Sequence, residues 1–105
     1  MTKIIYDRNA MSLYIKGHAG TAPKGKDIVC AGVSALTEAM VRRVKCRGIW
    51  NPSLRINPER AEVFLKLRPT DGYEQILAEE LLETVCGGYQ AIAEEYPEHV
   101  KVEVR

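Results

Sequence analysis

His18 and Cys30 are the two residues of this chain whose types and spacing point most directly to covalent chemistry. They stand in the segment Gly17-His18-Ala19-Gly20-Thr21-Ala22-Pro23-Lys24-Gly25-Lys26-Asp27-Ile28-Val29-Cys30-Ala31-Gly32-Val33-Ser34. A His closes an apolar, strand-like run. A loop punctuated by Gly20, Pro23 and Gly25 follows, residues expected where a chain must turn. Asp27 then reads as a helix N-cap, since its carboxylate can accept a hydrogen bond from a first-turn N–H. Cys30 falls three residues beyond that cap. Backbone N–H groups there lack intrahelical partners, and the helix dipole favours an anion. A thiolate is stabilised in such a place, and a folded-back loop can bring it an imidazole as base. The same N–H groups can hold the oxyanion of an acyl-transfer intermediate. The plainer alternative takes Cys30 as a small core residue beside Val29 and Val33, and His18 as a surface residue. The residues alone leave both open.

Two neighbours extend the constellation. Ser34 lies one turn beyond Cys30 on the same helix face, where it can meet substrate or the imidazole, or simply bond its own backbone. Asp27 can hold His18 in one tautomer, as the third member of a triad does, or serve only as a cap. Cys46 and Cys86 read as helix-face or core thiols. His99, just before the last strand, reads as a surface residue.

The elements that must position these groups follow from periodicity. Lys3 to Asp7 and Ser12 to His18 read as strands joined by a turn near Arg8-Asn9. In the second, Leu13 and Ile15 share one face, and strict alternation points His18 away from it. A helix runs from the Asp27 cap to about Lys45, with Val29, Val33, Leu36, Met40 and Val44 as its core stripe. Gly32, Ala35 and Ala39 form a stripe of small residues open to a second helix or to another copy of the chain. Gly48 ends this region, and Asn51-Pro52 and Asn57-Pro58 punctuate the next. Short strands follow at Leu54 to Ile56 and Ala61 to Arg68. Asp71 and Glu74 form a capping-box-like pair for a second helix that runs to about Glu95. Leu77, Leu81, Val85, Ile92 and Tyr96 lie on or near its apolar side. Gly87-Gly88 marks either close packing or a kink, Pro97 stops the helix, and Val100 to Val104 is the last strand. The predicted fold is α+β, a mainly antiparallel sheet of about five strands packed with two helices, in the order β-β-α-β-β-α-β.

The whole chain sets outer bounds. Its 105 residues make one domain, 1–105, with a modest core that dimerisation would enlarge. Hydrophobic residues are 46% of the chain, too many for a disordered protein. A formal net charge of +1 gives no reason to expect bulk nucleic-acid binding. No apolar run reaches the roughly 18–20 residues of a membrane span, and the N-terminus lacks a signal-peptide core. A cytoplasmic location is expected. Three widely spaced cysteines fit neither a disulfide framework nor a zinc site, so free thiols are expected, with no metal and no cofactor.

The paired segments Gly17-His18-Ala19-Gly20 and Asp27-Ile28-Val29-Cys30-Ala31-Gly32-Val33-Ser34-Ala35-Leu36 resemble the ribosomal-processing cysteine proteases called Prp. The resemblance extends over the chain's size, element order and the helix ending Glu95-Tyr96-Pro97. It implies a cysteine endopeptidase with Cys30 as nucleophile and His18 as base, and with Asp27 and Ser34 near the site in supporting or substrate-binding roles. The implied substrate partner is a ribosomal protein precursor. Its N-terminal extension, on large-subunit protein twenty-seven, is removed by cutting after an aromatic residue. It also implies a homodimer and a mobile loop over the site containing Gly20, Thr21, Pro23 and Gly25. This chain departs from the family pattern in two places: Thr21-Ala22-Pro23 replaces a bulkier, often aromatic stretch, and Gly32 replaces a more usual Ala. The rival reading is a non-catalytic dimeric module that binds a ribosomal or ribosome-assembly partner through the small-residue stripe and the sheet.

Overall fold

The computed structural model describes residues 1–18, 27–47 and 51–105. Their elements are β1 (Thr2–Asp7), β2 (Ser12–Lys16), α1 (Ile28–Arg47), β3 (Ser53–Asn57), β4 (Glu62–Lys66), α2 (Gly72–Glu95) and β5 (Val100–Val104). The predicted order and the α+β class are both observed. The strands form one sheet in the order β3-β4-β2-β1-β5. Three of its pairings are antiparallel, and β5 joins β1 in parallel. The parallel pair arises because α2 carries the chain back along the sheet before β5 begins.

Alternation sorts the strands into two faces. Ile4, Tyr6, Leu13, Ile15 and Leu65 are buried, and they join one cluster with Val29, Val33, Met40 and Val44 of α1 and Ala78, Leu82, Val85, Cys86 and Tyr89 of α2. Both helices therefore cover the same face of the sheet, a point that periodicity left open. The other face carries Ile5, Tyr14 and Phe64 in register, with the rings of Tyr14 and Phe64 6.5 Å apart. The buried stripe of α2 is centred one residue beyond the predicted one. Val85 is in it, whereas Leu77, Leu81, Ile92 and Tyr96 pack partly buried against its edge.

The helices pack antiparallel through small residues. A Cβ on Gly88 would stand 2.8 Å from Leu36 Cδ1, and one on Gly32 would stand 3.3 Å from Ile92 Cδ1. α2 continues through Gly87-Gly88, so close packing, and no break in the helix, accounts for Gly88. Gly87 has open space around it. Of the predicted small stripe, Gly32 faces α2, while Ala35 and Ala39 are exposed. Between the helices, the Thr37 hydroxyl donates to Val33 O at 2.8 Å and lies 2.6 Å from the Tyr89 hydroxyl. With its own proton given to Val33, Thr37 accepts the proton of Tyr89. Burial is what pushes the Tyr89 phenol up to about 12.

Candidate active site

The residues that hold the site begin with Gly17. β2 ends at Lys16, and Gly17 takes a left-handed backbone with φ +94. Its N–H donates to Ala61 O at 2.9 Å, and its carbonyl accepts from the Thr2 hydroxyl at 3.4 Å. A Cβ here would lie 2.5 Å from Met1 O, so glycine is required both by the dihedral and by the close approach. This turn breaks the strand alternation that pointed His18 away from Ile15. His18 and Ile15 instead line the same cleft.

On the opposite wall, Asp27 caps α1 as predicted, with its Oδ1 accepting the Cys30 N–H at 2.9 Å. The next N–H, from Ala31, enters the helix ladder on Asp27 O at 3.0 Å. Cys30 is half-buried at this first turn, and Ser34 is exposed one turn along. The cap has a chemical consequence. The Cys30 N–H is already engaged by a carboxylate, which removes it from the set of oxyanion donors expected at this helix start.

His18, Cys30 and Ser34 all line one cleft of about 240 Å³ between α1 and the sheet. Its apolar walls come from Ile15 and Val63 of the sheet, Ile56 at the edge strand, and Val33 and Val41 of α1. Thr37 and Glu38 extend its polar side. Of the residues singled out from sequence, the structure brings these three to one cavity and places Asp27 at its helix cap. Gly20, Thr21, Pro23 and Gly25 lie outside the described residues.

Gly17, Ile56, Glu38 and Val41 were missed from sequence. Glu38 was accessible through spacing, since Cys30, Ser34 and Glu38 recur every four residues. Ile56 carries no local signal of its role, because only strand order brings β3 to the cleft. The other cysteines separate cleanly: Cys46 is exposed and Cys86 is buried, and all three are free thiols. Burial, followed by the nearby Glu83 carboxylate, pushes the Cys86 thiol up, away from thiolate chemistry. Among the described residues no cluster of His, Cys, Asp and Glu is arranged to hold a metal. No described helix is long and apolar enough to cross a membrane.

The sequence matches the family described as cysteine protease Prp over residues 1–101. It is 26% identical to the ribosomal processing cysteine protease Prp of Bacillus subtilis (strain 168), over 92% of this chain and 88% of that protein. The fold superimposes with a TM-score of 0.86 on the ribosomal processing protease Prp from S. aureus in complex with a covalently linked product peptide. That match is 25% identical and covers all of both chains. The Streptococcus mutans protein SMU.848 is similar at a TM-score of 0.73, with 25% identity over 98% of this chain and 90% of that one.

Proposed function

The chain belongs to the cysteine protease Prp family, and from that membership and the cleft's geometry we propose a cysteine endopeptidase with Cys30 as nucleophile and His18 as general base. The convergence of His18, Cys30 and Ser34 on one cleft at the capped start of α1 carries this reading. Cys30 Sγ attacks the scissile carbonyl while His18 takes the thiol proton. The tetrahedral intermediate collapses to a thioester, and His18 returns the proton to the departing amine. Water, deprotonated by His18, then releases the acyl product. With the Cys30 N–H held by Asp27, the donors this helix offers the oxyanion are the N–H groups of Ile28 and Val29. Ser34 contacts the bound peptide one turn from the thiol.

The substrate is the N-terminal extension of a ribosomal precursor, large-subunit protein twenty-seven, cut after an aromatic residue. Similarity to the ribosomal processing proteases of B. subtilis and S. aureus supports the class. The cleft supports the aromatic: its volume is about 240 Å³ with mostly aliphatic walls, and an apolar cavity of about 150 Å³ already admits benzene. A homodimer and a cytoplasmic location belong to the same reading, and sedimentation at micromolar concentration tests the first.

The deciding assay incubates the protein with a peptide spanning the extension junction and identifies products by mass spectrometry. The parent cleaves once, after the aromatic, and His18→Ala is slower by about two to four orders of magnitude. Iodoacetamide labels Cys30 ahead of Cys46 and Cys86 near neutral pH, and His18→Ala removes that lead. Equal, slow labelling of the three thiols together with no cleavage would favour the binding module instead.

A further inference from the structure

The cleft runs past the thiol along α1, and its far end carries a charge that peptide-bond chemistry does not use. Cys30, Ser34 and Glu38 follow one another at four-residue steps, and all three line the cavity. Among its described lining residues Glu38 is the one carboxylate, and neither Lys nor Arg is present. Facing this row is an aliphatic wall that includes Val63 and Ile56, while Val41 lies beyond Glu38 on α1. At 1.5 Å rise per residue, Glu38 sits about 12 Å along the helix from Cys30. An extended peptide advances about 3.3 Å per residue, so that distance corresponds to three or four substrate residues.

We infer that Glu38 is a specificity-determining residue that selects peptides carrying Lys or Arg three or four residues from the scissile bond. The inference rests on Cys30 being the nucleophile. Arg42 is the built-in competitor: its Nε donates to Glu38 Oε1 at 2.9 Å. The two side chains are 79% and 63% exposed, and an exposed pair four residues apart on a helix is held weakly. A peptide cation in the cleft displaces it at little cost, with Glu38 gaining a partner nearer the apolar wall.

The test uses junction peptides with an aromatic at the cut and either Lys or norleucine at the third or fourth residue on each side. The readout is the ratio of kcat/KM for each Lys and norleucine pair. A parallel arm measures binding of the same fluorescein-labelled peptides to the Cys30→Ala protein by anisotropy. At one position the parent prefers Lys by roughly 3- to 10-fold at low salt, and the preference shrinks at high salt. Glu38→Gln brings that ratio toward one, Glu38→Lys drops it below one in favour of norleucine, and Arg42→Gln raises it. Cleavage by the parent with a ratio that ignores all three substitutions overturns the inference and leaves the endopeptidase standing. Glu38-dependent binding of Lys peptides without cleavage by the parent sinks the endopeptidase and, with it, the placing of the cation relative to a scissile bond. A ratio of one in both arms, at every position, overturns it.

Discussion

In each half of the chain, β1-β2-α1 and β3-β4-α2, a hairpin leads to a helix capped by an aspartate. The hairpins turn alike. Asp7 Oδ1 accepts the Ala10 N–H at 3.0 Å, Asn57 Oδ1 accepts the Arg60 N–H at 3.3 Å, and each turn closes on a left-handed residue, Met11 (φ 50) or Ala61 (φ 51). The caps also match, with Asp27 accepting from Cys30 N at 2.9 Å and Asp71 from Glu74 N at 2.8 Å. The halves part at the third residue after the cap. Glu74 turns its carboxylate back to the Thr70 N–H and hydroxyl, each at 3.0 Å, and completes the helix end. Cys30 has no such reach, and it lines the cleft. The connections differ too: residues 17–27 lead into α1, and only residues 67–71 lead into α2. A capped helix start is thus shared equipment. Under the proposed function it becomes a site because its third residue is a cysteine and the chain before the helix carries His18 to the same cleft.

Exchanging the roles at that third residue is the sharpest way to break the comparison. Cys30→Ala is expected to lower cleavage of the junction peptide by about three orders of magnitude or more. Glu74→Ala is expected to retain turnover while losing about 0.5–1 kcal/mol of stability in a thermal melt. Comparable loss of cleavage in the two variants would dissolve the distinction.

The entry glycines come next. Gly17→Ala must carry a left-handed φ and a Cβ against Met1 O, so it should cost about 2 kcal/mol or more and slow cleavage by moving His18. Gly72 opens α2 with nothing within 4 Å of an added methyl, and Gly72→Ala should be neutral or stabilise by up to about 1 kcal/mol. Urea titration of both variants reads the contrast.

Burial of Tyr89 between the helices predicts a pH response. Tyr89 ionises near 10 in the unfolded chain and at about 12 in the folded one. Between those values the unfolded state binds fewer protons, so stability is intact below pH 10 and falls as pH rises toward 12. One such group accounts for roughly 2–3 kcal/mol across the window. Tyr89→Phe should remove about half of the slope in that window, since Tyr6, also raised to about 12, contributes the rest, and an unchanged slope would refute the assignment. At the caps, Asp71→Ala and Asp27→Ala should each cost about 1 kcal/mol. Only Asp27→Ala should also slow cleavage, because it loosens the turn that carries Cys30.

Much of this was readable from local chemistry. Asp27 and Asp71 declare helix starts because a short carboxylate satisfies first-turn N–H groups, and both helices begin one residue later. The Val100–Val104 strand follows from its alternation and the Pro97 stop. Cys30 at the start of α1, and Ser34 and Glu38 beyond it, are fixed by helical repeat alone.

The amino-acid sequence by itself determined the elements, their order and the placing of a thiol three residues past a cap, since these depend on contacts within a few residues. Only the tertiary structure decided that both helices share one sheet face, that β5 lies parallel to β1, and that Ile56 reaches the cleft. It also decided the side on which His18 lies. That choice rests on Gly17, whose left-handed turn is enforced by Met1, Thr2 and Ala61, residues distant in sequence that meet it only when β1, β2 and β4 are paired.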